Sequence, residues 1–135
     1  MISRSLIPHD LAREAIRETG LVAILRGEFS PDRAIQIAQA LQNSGIKILE
    51  VTLNSSDALH LIELLRKTFS DGSMLVGAGT VRSEIQLKEA VQAGATFTVA
   101  PNCDERSISA AMELGVLHVP GVFTSTEAVR AVSAG

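Results

Sequence analysis

Three side chains in this sequence have the type and placement to do acid–base or anion-binding work. Glu50 lies in Ile46-Lys47-Ile48-Leu49-Glu50-Val51-Thr52-Leu53, an otherwise largely apolar run, and a carboxylate in such surroundings costs free energy unless it is used or paired. Desolvation raises the pKa of a half-buried carboxylate, which suits a proton shuttle near neutral pH. The alternative is a structural salt bridge to Arg26. Arg26 itself follows Leu21-Val22-Ala23-Ile24-Leu25 and precedes Gly27. A guanidinium there can hold a carboxylate or phosphate through two parallel hydrogen bonds, or simply face solvent as a strand-end arginine. Gly77-Ala78-Gly79-Thr80-Val81 adds two glycines that let a ligand approach the backbone, and the hydroxyl of Thr80. This run has neither the lysine of a P-loop nor the spacing of the dinucleotide fingerprint, so nucleotide binding is disfavoured.

The elements that must position these residues alternate between short β-branched runs and longer stretches of helical period, the pattern of βα units around a parallel sheet. Strands are expected at Leu21–Arg26, Ile46–Leu53, Met74–Gly79, Thr96–Ala100 and Val116–Pro120. Period-two alternation places Ile46, Ile48, Glu50 and Thr52 on one face of the second strand and Lys47, Leu49 and Val51 on the other. Helices are expected between the strands. Ser30-Pro31 opens the first, near Asp57–Phe69 lies the second, and Ser83-Glu84-Ile85-Gln86 starts the third as a capping box. The fourth runs from about Asp104 to Leu114 and the fifth opens with Thr124-Ser125-Thr126-Glu127, while Gly45, Gly94, Gly115 and Gly135 close four of them. A further helix, about His9 to Glu18, carries Leu11, Ala12, Ala15 and Ile16 at helical spacing and is placed to cover the bottom of a barrel. Five units do not close an eight-stranded barrel, which needs roughly 200 residues. The expected fold is α/β, five βα units with an N-terminal helix, residues 1–135 forming a single domain, with either strands missing from a barrel or an open sheet.

Composition narrows the function. The 135 residues carry 12 Lys plus Arg against 15 Asp plus Glu, with 46% hydrophobic residues, enough to build a core. A formal net charge of −3 and four aromatic residues, all Phe, give neither the basic stripe nor the stacking platform of a nucleic-acid binder. No apolar run approaches the roughly 20 residues of a membrane span, and the N-terminus does not read as a signal peptide, so a cytoplasmic protein with no membrane partner is expected. The one cysteine, Cys103, cannot form an internal disulfide and has no base beside it in sequence. His9, His60 and His118 share no motif, and no Cys or His cluster has metal-ligand spacing. His60 reads as a solvated helix residue and His118 as a satisfied core histidine.

Taken in order, Ala23-Ile24-Leu25-Arg26-Gly27, Glu50-Val51-Thr52-Leu53, Gly77-Ala78-Gly79-Thr80-Val81, Ala100-Pro101-Asn102, Pro120-Gly121 and Thr126-Glu127-Ala128 resemble the 2-keto-3-deoxy-6-phosphogluconate / 4-hydroxy-2-oxoglutarate aldolase family. Arg26-Gly27, Leu53-Asn54-Ser55 and Pro101-Asn102 look closer to its 6-phosphogalactonate branch, whereas Glu50-Val51-Thr52-Leu53 is the spelling of the 6-phosphogluconate branch. The resemblance implies an incomplete barrel of the (β/α)8 TIM-barrel class. It also implies a class I aldolase: a lysine forms a Schiff base with a 2-keto-3-deoxy-6-phospho sugar acid, and carbon–carbon cleavage yields pyruvate and D-glyceraldehyde 3-phosphate. By position it makes Glu50 the general acid–base residue, Arg26 the ligand of the substrate carboxylate end and Thr80 a substrate-binding hydroxyl. It implies no metal or organic cofactor, and a homo-oligomer, commonly a trimer in the family. The family's Schiff-base lysine lies on the sixth strand, just after the glycine matching Gly135, and its phosphate loops follow strands seven and eight. Residues 1–135 match only the first five strands, and Lys47, Lys67 and Lys88 do not match that lysine. By themselves these residues are therefore expected to be inactive. The alternative reading is a non-catalytic fragment that binds a partner or a complementary half-barrel.

Overall fold

The structure, a computed structural model, describes residues 8–135. Five parallel strands, β1 (Ala23–Leu25), β2 (Ile48–Thr52), β3 (Leu75–Gly79), β4 (Phe97–Val99) and β5 (Leu117–Val119), lie side by side in chain order. Six helices accompany them: α1 (Pro8–Thr19), α2 (Pro31–Asn43), α3 (Ala58–Thr68), α4 (Glu84–Gln92), α5 (Glu105–Leu114) and α6 (Ser125–Ala134). A doubly wound sheet reverses its strand order beside its first strand, whereas a (β/α)8 barrel adds each strand next to the last. The unbroken order β1-β2-β3-β4-β5 is of the second kind, and the sheet is open between β1 and β5.

Alternation along the strands sorts the side chains into two layers. Leu25, Leu49, Val51, Val76 and Ala78 face the helices and pack with Ala34, Ala38, Leu61, Ile62, Leu65 and Leu87. Burying a side chain the size of Leu65 contributes roughly 1.5–3 kcal/mol, so this layer supplies most of the fold's apolar stabilisation. Ile48 and Phe97 point to the opposite face, the concave one of a barrel, and meet Ala12 of α1. The N-terminal helix thus covers the end of the sheet where the strands begin, as its apolar spacing implies, although Leu11 of the expected stripe stays 49% exposed.

Several local expectations change. The strands are shorter than their apolar runs, most of all β1, which has three residues instead of six and leaves Leu21 and Ile24 exposed. A ladder extends only as far as a partner runs beside it, and β1 has a neighbour on one side alone. The capping box of α4 forms by half: Ser83 Oγ accepts from the Gln86 amide, but Gln86 Oε1 accepts from the Arg82 amide instead of reaching back to Ser83. The α6 box is complete, with Thr124 and Glu127 capping each other's amides. Asp57 precedes α3 in the left-handed region and makes no side-chain cap. Helix α6 buries none of its residues; Val129 and Val132 stand exposed along it, and Phe123 stands exposed in the loop before it.

Candidate functional site

Glu50 sits mid-strand in β2, paired in register with Ile24 of β1 and Gly77 of β3. Its side chain emerges on the concave face and is 5% exposed. Room for it comes from the neighbouring strand. A Cβ on Gly79 would collide with Glu50 Oε1 and lie 3.1 Å from Thr52 Cγ2, and a Cβ on Gly77 would come 2.5–2.6 Å from three ring atoms of the fully buried Phe97. The two glycines therefore accommodate the protein's own carboxylate and aromatic ring, rather than leaving bare backbone for a ligand as their spacing suggests. Nothing in the described structure hydrogen-bonds to the Glu50 carboxylate. Burial consequently pushes its pKa up from the ordinary 4.5, and the positive charge of Arg26 pulls against that shift without reversing it.

The alternative of a Glu50–Arg26 salt bridge is not what forms. Arg26 leaves the end of β1 and its guanidinium reaches across β2, donating from Nη2 to Thr80 Oγ1 at 3.5 Å. It acts on Glu50 as a nearby charge, not as a hydrogen-bond partner. Thr80 has φ +58°. A β-branched residue in the left-handed region is strained by about 1–3 kcal/mol, and such strain persists where the surroundings over-determine it. Here Val81 donates its amide to the Val99 carbonyl immediately beyond, locking the turn. Arg26 and Thr80, singled out separately in sequence, thus meet at the C-terminal rim of the strands, where active sites of barrel folds form, with Glu50 two residues below the end of β2.

Two residues of this rim escape a reading of the sequence by residue type. Thr52 Oγ1 and Ser55 Oγ lie 2.9 Å apart, and the Ser55 hydroxyl accepts from the Gly27 amide at 3.0 Å. The available signal is that Thr52 shares the Glu50 face while Ser55 follows three residues later in the turn. Phe97 is the third omission, an apolar residue whose place against Gly77 only the register reveals. Farther along the rim, Asn102 Nδ2 donates to the Arg82 carbonyl at 3.4 Å. Gly121 lies so close to Pro101 that a Cβ would come within 2.5 Å of its carbonyl carbon. Pro101-Asn102 is a bend and Pro120-Gly121 is irregular chain, and these contacts bind the loops after β3, β4 and β5 to one another.

The lysines lie elsewhere. Lys67 pairs with Glu63 along α3 and Lys88 with Glu84 along α4. Lys47 is exposed and lines a mainly apolar cleft of about 500 Å³ with Leu11, Ala15 and Leu75 at the opposite, N-terminal end of the strands. Among the described residues no cluster of His, Cys, Asp and Glu could hold a metal ion, and no helix is long and apolar enough to cross a membrane. Cys103 is half-buried, with Sγ 3.7 Å from the Glu127 carbonyl.

His60 is solvated on α3, as expected. His118 differs: its Nδ1 lies 2.8 Å from Thr98 Oγ1, but Nε2 is buried without a partner. A strand histidine with one nitrogen orphaned is held neutral, because burial pushes its pKa below 6.5 against a weak opposing pull from Asp104. As pH falls below 6.5 the unfolded chain takes up the proton first, so this histidine withdraws stability on acidification. His118→Asn keeps an acceptor near the Nδ1 position and should flatten that part of the pH dependence. Urea midpoints of both proteins, compared at neutral pH and below 6.5, measure it; parallel losses in the two would show that His118 contributes nothing.

Residues 12–135 match the family model for the aldolase family described as KDPG and KHG aldolase. Over 118 residues the chain is 39% identical to a probable 2-dehydro-3-deoxy-6-phosphogalactonate aldolase of Rhizobium meliloti, covering 87% of this chain and 55% of that protein. Over 122 residues it is 34% identical to the KHG/KDPG aldolase of Escherichia coli K12, covering 90% and 56%. Among solved structures it is similar to the KDPG aldolase of Legionella pneumophila, captured with pyruvate as a covalent carbinolamine intermediate. That likeness has a TM-score of 0.75 and 33% identity, over 84% of this chain and 53% of that one. The chain spans a little over half the length of the curated relatives it matches.

Proposed function

Since the chain belongs to the KDPG and KHG aldolase family, we propose that it is the proton-transfer half of a class I aldolase site. The reaction it serves is retro-aldol cleavage of a 2-keto-3-deoxy-6-phospho sugar acid to pyruvate and D-glyceraldehyde 3-phosphate. The observation that carries this reading is Glu50, a buried carboxylate with no hydrogen-bond partner among the described residues, its pKa raised by burial, set on the concave face near Arg26 and Thr80.

Each residue then has one task. A lysine amine adds to the substrate keto carbon and water leaves, forming the protonated imine that draws electrons from the breaking bond. Glu50 accepts the hydroxyl proton as the carbon–carbon bond breaks and returns a proton to the enamine carbon left behind, giving the pyruvate imine, which water then hydrolyses to free pyruvate and the lysine amine; Glu50 ends in the state in which it began. Arg26 grips the carboxylate of the keto acid, for which its fork geometry is suited. Thr80 offers its hydroxyl to the same end of the substrate. No metal is required, since the imine supplies the electron sink. The carbinolamine trapped in the Legionella pneumophila relative supports covalent chemistry of this kind.

The nucleophile is the part not supplied by residues 1–135, whose lysines are paired along helices or sit at the opposite end of the strands. A second reading, a half-barrel that binds its complement, is favoured by the open edges of β1 and β5 and by the unburied α6. In the complete protein we place the site in a cytoplasmic homo-oligomer, a trimer as in the family. One experiment serves both readings: incubation with pyruvate and borohydride, with and without a polypeptide carrying strands six to eight of a relative. The expected result is no adduct on the 135 residues alone, and a lysine adduct with pyruvate release once the complement is added. An adduct on Lys47, Lys67 or Lys88 would overturn the assignment of the nucleophile. Binding of the complement without turnover would favour the non-catalytic reading.

A further inference from the structure

Arg26 is exposed, and a long flexible side chain at a strand end loses its aim unless its backbone is held. Both of its chain neighbours are held, and by the same two hydroxyls. The Gly27 amide, on one side, donates to Ser55 Oγ at 3.0 Å. Ser55 Oγ lies 2.9 Å from Thr52 Oγ1, and Thr52 Oγ1 donates to the Leu25 carbonyl, on the other side, at 3.5 Å. A hydroxyl has one proton to give, so a single direction satisfies every member: Gly27 N–H to Ser55, Ser55 O–H to Thr52, Thr52 O–H to the Leu25 carbonyl.

Two features show that this arrangement is more than a generic turn. Thr52 is fully buried, where an unpaired hydroxyl is costly, and the relay consumes its donor. Gly27 has φ +133°, a conformation that its hydrogen bond to Ser55 stabilises and that sets the direction in which the chain leaves Arg26. From a base fixed in this way the guanidinium crosses the end of β2 to Thr80, near enough to Glu50 for its charge to act there.

We propose that Thr52 and Ser55 are positioning residues: their paired hydroxyls bracket Arg26 from both sides and hold its guanidinium over Glu50. The proposal rests on the reading of Arg26 as the substrate-carboxylate ligand, and it adds what decides where that ligand stands. Among the described residues Arg26 is the one charged group that acts on Glu50, so the titration of Glu50 reports the placement of the guanidinium in the 135-residue chain itself, without turnover.

The experiment is a carbon-detected NMR titration of the Glu50 carboxyl in the parent protein and in Ser55→Ala, Ser55→Thr, Thr52→Val, Arg26→Met and the double variant Arg26→Met/Ser55→Ala. Removing Arg26 should shift the Glu50 titration upward. Ser55→Ala and Thr52→Val should each produce a substantial part of that upward shift, Ser55→Thr should restore the parent curve, and Ser55→Ala should add nothing once Arg26 is gone. Exchange of the Gly27 amide should accelerate roughly tenfold in Ser55→Ala, the loss of one net hydrogen bond. The proposal fails if neither hydroxyl variant moves Glu50, if Ser55→Ala moves it equally without Arg26, or if Arg26→Met has no effect. Failure of the aldolase reading would show instead as absent imine trapping in the complemented protein, with these titrations unchanged.

Discussion

Replacing Glu50 by glutamine is expected to lower pyruvate release about 10²–10⁴-fold in a protein completed with strands six to eight, while leaving the fold intact. The amide fills the same space above Gly79 but can neither take the hydroxyl proton nor return it. Imine formation also needs proton transfers, so borohydride trapping should slow in the same variant. Stability should move the other way. The folded-state pKa of Glu50 lies above its ordinary value of 4.5, so the folded protein holds this proton more tightly than the unfolded chain. From pH 4.5 upward through the raised pKa, the cost of ionising a buried carboxylate accumulates and the parent loses stability. Glu50→Gln has no such cost. It should equal the parent below pH 4.5 and exceed it above, in urea midpoints measured across that range. Full activity in the variant would remove Glu50 from the chemistry, whatever its effect on stability.

Gly77→Ala is expected to cost about 1–3 kcal/mol of stability, the usual penalty for forcing a methyl group into a filled core. The new Cβ would meet Phe97 Cζ at 2.5 Å and two further ring atoms at 2.6 Å, and Phe97 is wholly buried in one cluster with Ile48 and Ala12. Phe97→Leu should offset part of the loss, because a smaller side chain vacates the space that alanine enters. The two sites share one contact, so their effects should couple in a double-mutant cycle. Additive losses would show that the ring yields freely and that Gly77 is needed for another reason. Since Gly77 is level with Glu50 in the ladder, Gly77→Ala should also disturb the carboxyl titration, which the NMR experiment described for Ser55 would detect.

The parallel sheet, its strand positions to within a few residues and the face of β2 that carries Glu50 were all legible in the sequence, because period-two alternation and apolar runs are local properties. Shorter strand ends were not, since a ladder stops where its neighbour stops. The half-formed box at Ser83 was not either: Gln86 has two amides within reach, and the competition between Arg82 and Ser83 is settled by the incoming loop.

The chemistry divides in the same way. Residue type and position on the strands by themselves picked out Glu50, Arg26 and Thr80, since an unpaired carboxylate in an apolar strand and polar groups at strand ends advertise themselves through the cost of burying them. What the sequence alone could not decide was who occupies the space those residues leave. Gly77 and Gly79 read as openings for a ligand and are filled by Phe97 and by the carboxylate of Glu50; the alternative of an Arg26–Glu50 salt bridge gives way to a contact of Arg26 with Thr80. Such outcomes depend on which residues from different strands come level with one another. Inter-strand register and packing across three strands set that level, and no run of neighbouring residues contains it.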